Sequence, residues 1–484
     1  MSELLPTVGK RVPVVLNGPV GTRTLGSSAV AFFALAASAP ILTLVTVVPA
    51  AFALGGGPLV PITFLALGAL LLLFTTGYAA MGRRAPYAGA LSTFITRGLG
   101  RPAGIAAAWV ALGSYQAIQL ALYGLAGAAA APLLDVPWWQ VSVACWLLVV
   151  VLGPIRAEVT SGLLALVVLA QAAVVAGYAA ANVIDPAADG MTAALPVEID
   201  RPVPAMLLVI GALTFIGFET TGAYAEESFR PRRGPGHAAY ASILTLTLLG
   251  AAGAWSLSIA AGPGQIGALA RARGSELVFD LAAARLTPWA VTLGRIMLLA
   301  AVVAAALALH HTMVRYLSAL GRERVLPSSV GGVAASLTQS AVAGLLLTIV
   351  VPGYRLTLAG GLGIVVLLTA TSVAALLHLN RVPDGEGGWA RFVAPILATV
   401  GLGVVAYLGV VRFLGVVEIA VVAGAALLGV LHALLLRRVR PVVYAGIGHA
   451  GAAVVVTPAL PRQRQPGAHR PERLSQRTPG SGPA

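Results

Sequence analysis

The chain has 484 residues, 58% of them hydrophobic and only 10% charged, with a mean hydropathy of +0.90; soluble domains carry about 25% charged residues, so a bilayer is the solvent that suits it. A net charge of +14 would suggest nucleic acid in a soluble protein, but the arginines fall between apolar runs or in the C-terminal tail. No basic stripe is interleaved with stacking aromatics, so nucleic acid is set aside as a partner, and the charge is read as orientation and contact with lipid.

In chain order, apolar runs occupy about 27–54, 58–81, 103–131, 138–154, 157–182, 203–227, 237–261, 288–318, 334–352, 357–379, 392–412 and 415–436. Most exceed the 18 residues or so that cross a ~30 Å hydrocarbon core. The expectation is an all-α integral membrane protein of about twelve transmembrane helices over 27–436, preceded by a cytoplasmic segment 1–26. Mixed residues precede the first run, so that run is expected to direct insertion without a cleaved signal. The stretch 442–459 is apolar but rich in glycine and is not counted as a span, and 461–484 lacks the means to bury a core. Residues 437–484 therefore read as a basic, largely disordered tail. The lone cysteine, Cys145, lies within an apolar run and excludes an intramolecular disulfide.

The connectors alternate in charge. Those after the second, fourth, sixth, eighth and tenth runs carry Arg83, Arg84, Arg97 and Arg101; Arg156; Arg230, Arg232 and Arg233; Arg322 and Arg324; and Arg381 and Arg391. The opposite connectors are poorer in Arg and hold Asp135, Asp185, Asp189, Glu198 and Asp200; the loop with Arg271, Arg273 and Arg285 is an exception, offset in part by Glu276 and Asp280. The positive-inside rule then places both termini in the cytoplasm, and the cell (plasma) membrane is the expected location.

Two runs are interrupted. Pro40, in Ser38-Ala39-Pro40, removes a backbone donor inside the first run and clashes with the turn before it. Gly217, in Phe215-Ile216-Gly217-Phe218-Glu219, loosens the sixth run beside a carboxylate. Helices come apart in hydrocarbon only where protein or a wet cavity receives the freed backbone. Breaks at corresponding positions of two five-span halves point to the binding site of a transporter built from inverted repeats. Glu219 near mid-membrane costs at least ~2.5 kcal/mol and is a functional candidate by default; the plainer reading is a carboxyl satisfied by neighbouring helices. At such a break, free amides suit a carboxylate and unwound carbonyls suit an ammonium or a cation.

These stretches also resemble the amino acid–polyamine–organocation (APC) superfamily of permeases over residues 25–436. Arg84-Ala-Pro-Tyr-Ala-Gly-Ala90 with Arg97-Gly-Leu-Gly-Arg-Pro102 is similar to that family's loop between spans two and three. Phe215 to Glu219, followed by Ala225-Glu-Glu227 and Pro231-Arg-Arg233, is similar to its sixth span and exit, and Arg315 to Pro327 to the end of its eighth. The resemblance implies a five-plus-five inverted-repeat fold with helices 1 and 6 broken. It implies a secondary-active permease for amino acids or related small amines, with a substrate site at Ser38, Ala39, Pro40, Thr43, Phe215, Ile216, Gly217, Phe218 and Glu219. The first span departs from the family's Gly-x-Gly, and the fifth has no lysine, leaving Gln171 as its nearest polar group and proton coupling by that route open.

Other residues carry two readings each. Glu226 and Glu227 end the sixth run, where the helix dipole disfavours negative charge; they either pair with Arg83, Arg84 or Arg97 as a gating latch or sit solvated at the interface. His310 and His311 either exchange protons or hydrogen-bond between helices. Tyr115, Gln116 and Gln119 either face the cavity or join helices. No Ser/His/Asp set or metal-ligand spacing appears, so no catalytic residue, metal or cofactor is expected and an enzyme is not the reading. A permease for another solute, such as a nucleobase or organic anion, or a non-transporting amino acid sensor stays open beside the amino acid permease, as does the coupling ion.

Overall fold

The computed structural model describes residues 23–188, 202–350 and 353–448; among these no β-strand forms. The first span comprises α1 (Ser27–Ser38) and a continuation over 40–53. There follow α2 (Leu59–Arg84), α3 (Ala90–Leu99), α4 (Arg101–Leu134), α5 (Trp138–Leu152) and α6 (Ala157–Ile184). Next come α7 (Pro202–Ala212), the 3₁₀ turns Leu213–Phe215 and Phe218–Tyr224, and α8 (Gly234–Ala261). Two short helices, α9 (Ile266–Arg273) and α10 (Leu277–Ala283), precede α11 (Pro288–Arg322). The rest is α12 (Val333–Ile349), α13 (Tyr354–Arg381), α14 (Ala394–Leu408), α15 (Val416–Val439) and α16 (Pro441–Gly446).

Every one of the twelve apolar runs contains helix, and among the described residues ten helices are long and apolar enough to cross a membrane. The other two are α5 and α12, of 15 and 17 residues. At 1.5 Å per residue they reach only about 22 and 25 Å, short of a ~30 Å core. Side chains such as Val151, Leu166, Leu248 and Val400 project outward from the bundle. That apolar exterior suits lipid and would be a liability in water.

Burial separates centre from periphery. The first span and α4 are 72% and 78% buried over their most apolar windows, whereas α15 is 17% buried. The 34-residue α4 packs against α3, α5, α11, α13 and α15, and α1 packs against α6, α8 and α11. The two interrupted stretches therefore sit inside a wall of continuous helices.

Residues 437–448, at the start of the expected tail, belong to the folded body. Helix α15 runs to Val439, and the short α16 docks on Arg101, whose Nη2 donates to the Ala445 carbonyl at 2.9 Å. The predicted tail 449–484, like 1–22 and the connector holding Asp189, Glu198 and Asp200, lies outside the described residues.

Candidate functional site

Proline begins the first break. Its ring excludes right-handed helical geometry at the preceding residue. Ala39 accordingly swings to φ 44°, ψ 81°, and Pro40 starts the next helical segment, where its missing N–H costs nothing. The amide of Ile41 is met from the fifth span by Gln171 Oε1 at 3.4 Å. Gln171 thus serves the broken helix directly. The chain then continues through a π turn, Thr43–Val47.

Glycine makes the second break. Helix α7 tightens into the 3₁₀ turn ending at Phe215, Ile216 is extended, and Gly217 takes φ 122°. A Cβ at Gly217 would lie 2.6 Å from Ser38 Oγ and 2.9 Å from Ala37 Cβ. Glycine is required there by conformation and by close approach. The breaks meet across that gap: Ser38 Oγ lies 2.8 Å from the Ile216 carbonyl and 3.0 Å from that of Ala34.

Glu219 stabilises the second break rather than standing free. Its Oε2 accepts the Gly217 N–H at 2.9 Å and its Oε1 accepts the Tyr115 hydroxyl at 3.1 Å, with the residue 2% exposed. The Tyr78 hydroxyl donates to the Glu219 carbonyl at 3.0 Å, and Thr220 Oγ1 donates to the Gly217 carbonyl at 2.6 Å. No ion pair involves Glu219 among the described residues.

A cavity of about 320 Å³ opens on these breaks from the side opposite the Arg-rich connectors. Of the nine residues expected at the site, Ser38, Thr43 and Ile216 line it. Ala39, Pro40, Phe215, Gly217, Phe218 and Glu219 lie behind its wall; Phe218, for example, packs edge-on against Phe74 at 5.7 Å. Sequence reasoning missed Ala37, Thr46, Leu122 and Thr357 on the wall. Only helical phase could have revealed them, since Ala37 and Leu122 carry no polar signal. The described lining includes no charged side chain.

The Arg-rich side is closed by ion pairs, with partners other than those expected. Arg315 Nε and Nη2 each reach Glu227 at 2.7 Å, and the guanidinium lies 4.2 Å from the centre of the Tyr224 ring. Arg322 Nη2 donates to Glu226 at 2.7 and 2.9 Å, and the Ala88 amide adds a bond to the same carboxylate at 3.1 Å. Above them, the Thr24 and Leu25 amides both donate to the Glu227 carbonyl at 3.0 Å. Arg84 instead pairs with Glu386, Arg97 bonds the Gly448 carbonyl, and Arg83 is exposed. Burial pushes the Glu386 carboxyl up, but the Arg84 bond and charge outweigh it and hold the group below its ordinary value.

The remaining candidates act between helices. His310 Nε2 is 2.8 Å from Ser336 Oγ. Gln339 Nε2 donates to Gln116 Oε1 at 3.2 Å and Gln119 Oε1 at 2.7 Å, and Gln119 Nε2 donates to the Ala306 carbonyl. Tyr115 alone of its patch reaches a break. Among the described residues, no group of three or more His, Cys, Asp or Glu is placed to hold a metal. Compared with known proteins, the chain matches no protein-family model and no curated sequence.

Proposed function

We propose that the chain is a secondary-active transporter that binds a small solute at the facing breaks and carries it across the membrane by alternating access. The observation that carries this reading is the pairing of one open cavity, ending on unwound backbone at Ser38 and Ile216, with an opposite side shut by Arg315–Glu227 and Arg322–Glu226. By the positive-inside rule the closed side is cytoplasmic, so this is an outward-open arrangement of a plasma-membrane protein. The volume, about 320 Å³, falls at the small end of ligand pockets and suits an amino acid or related amine. Hydroxyls of Ser38, Thr43, Thr46 and Thr357 with apolar neighbours favour a neutral or zwitterionic solute, since an ion of one sign would find no countercharge on the wall. The resemblance to APC permeases and their inverted-repeat fold points the same way.

Counterflow of a labelled amino acid panel into proteoliposomes, with and without an imposed proton gradient, tests the reading. Saturable flux of one class, reduced by Thr43→Val at the wall and abolished by Gly217→Leu at the break, is the expected result. Acceleration by the gradient would add proton coupling. Binding without flux would replace the transporter with a sensor, and flux of nucleobases or organic anions alone would replace the substrate class.

A further inference from the structure

The last span ends in a run of exposed charge. Arg437 and Arg438 lie in the final turn of α15, Arg440 follows it, and all three are exposed. Arg324, just past the end of α11, is exposed as well. Val325, beside Arg324, and Leu436, beside Arg437, share one apolar cluster, so these charges crowd one corner of the bundle. No ion pair involves any of the four among the described residues. Apolar side chains stand among them: Leu435, Val439 and Val442 are 59%, 66% and 79% exposed. Uncountered guanidiniums interleaved with bare aliphatic groups at the end of a span suit a leaflet surface, with charge at the headgroups and methyls at the acyl boundary.

The chain then turns inward. Exposure falls from Val442 to Ile447 and Gly448, which are buried. Ile447 packs with Ile105 of α4 and with Leu320 and Val325 at the end of α11. The Arg101 guanidinium lies 5.6 Å from the centre of the Tyr444 ring and donates to the Ala445 carbonyl. Arg97 Nε donates to the Gly448 carbonyl at 3.3 Å, and the Gly448 N–H donates to Glu323 Oε1 at 3.2 Å. Gly448 holds φ 81°, and a Cβ there would lie 2.5 Å from Thr96 Cγ2. Residues 441–448 therefore form a strap that ties α3 and the start of α4 to Glu323. The next residue back, Arg322, is the partner of Glu226.

We propose that Arg437, Arg438 and Arg440, with Val439 and Val442, bind anionic phospholipid headgroups, and that lipid bound there holds the strap on its seat and braces the end of α11. Three like charges within four positions repel one another, and an anionic surface relieves that repulsion where a neutral one does not. The lipid site stands on the membrane-spanning architecture; its effect on the Arg322–Glu226 pair as a gate rests on the transporter reading.

Hydrogen exchange reads local opening without requiring transport. The purified full-length chain is compared in nanodiscs of phosphatidylcholine alone and of phosphatidylcholine mixed with phosphatidylglycerol. Phosphatidylglycerol should slow exchange several-fold over 441–448 and over 320–326. Raising salt from about 0.1 to 1 M, which shortens the screening length from about 10 to 3 Å, should erase the difference. The triple variant Arg437→Gln, Arg438→Gln, Arg440→Gln changes only exposed side chains. It should exchange like the parent in phosphatidylcholine and ignore phosphatidylglycerol. Ile447→Ser, which unseats the strap, should speed exchange over 320–326 in both lipids. No response in the parent, or an equal response in the triple variant, overturns the lipid site. Slowing confined to 437–448, or no effect of Ile447→Ser on 320–326, overturns the brace. Slowing by inorganic phosphate in phosphatidylcholine discs would make the partner a free anion and overturn the assignment to lipid.

Discussion

A side chain at Gly217 would meet two obstacles at once. Left-handed backbone costs an ordinary residue about 1–2 kcal/mol, and the new Cβ would press on Ser38 Oγ and Ala37. Gly217→Ala is therefore expected to cost about 3 kcal/mol, read as a fall of several degrees in melting temperature in detergent. Gly162→Ala is the matched control: its Cβ meets nothing within 4 Å, and no loss is expected. Tyr115→Phe should cost about 1–3 kcal/mol by leaving Glu219 Oε1 without that donor. Adding Glu219→Gln to Tyr115→Phe should cost less than the two changes made separately, since both act on one hydrogen bond; strict additivity in a melting cycle would argue that the bond contributes nothing. These positions were legible in the sequence because each breaks a local rule: glycine and carboxylate inside an apolar run, and proline after a residue that must then leave the helix. The role of Glu219 was legible only in outline. That both of its oxygens are occupied by Gly217 and Tyr115 depends on a tyrosine 104 positions away.

At the scale of elements, the closing contacts join helices that are distant in sequence. Glu226 and Glu227 stood out as acids at the wrong end of a helix, and a basic partner was required. The expected partners were Arg83, Arg84 or Arg97, from another connector of the Arg-rich side, but the partners are Arg322 and Arg315 on α11, 96 and 88 positions from Glu226 and Glu227. Neither hydropathy nor charge alternation encodes which helix ends converge, so this part of the site was not readable. The pairs also differ in kind. Arg315 is forked onto Glu227 while lying over Tyr224, so Arg315→Lys keeps the charge but loses the fork and the flat stacking surface. Arg315→Ala leaves Glu227 without its partner and should cost about 3–5 kcal/mol. Arg322→Ala should cost less, because the Ala88 amide still holds Glu226. Melting temperatures of the three variants in detergent should therefore rank Arg322→Ala above Arg315→Ala, with Arg315→Lys between Arg315→Ala and the parent. The reverse order for the two alanine variants would mean that the Tyr224 stack, the fork and burial do not make the inner pair the stronger one.

At the scale of the whole molecule, the cavity that reaches Ser38 and the pairs that close the Arg-rich side are two ends of one arrangement. If the protein alternates, weakening the closed end must shift population toward the state in which the open cavity is shut, because each state is stabilised by contacts the other lacks. Thr46 lines the open cavity, and Cys145 is the sole native thiol and buried, so Cys145→Ser provides a background for a single Thr46→Cys reporter. A membrane-impermeant maleimide applied to the Arg-poor face should label that reporter. Adding Glu227→Gln removes the countercharge of Arg315, and a loss of about 1.4 kcal/mol from the closed end changes the population ratio tenfold. Labelling of Thr46→Cys from that face should then slow several-fold wherever the inward state becomes dominant. A reporter at Gly264, on an exposed connector with no atom within 4 Å of its Cβ, should label at the same rate in both backgrounds. Equal slowing at both positions would indicate a general loss of structure, and no slowing at Thr46→Cys would separate the ion pairs from the cavity and leave them as ordinary braces between helices.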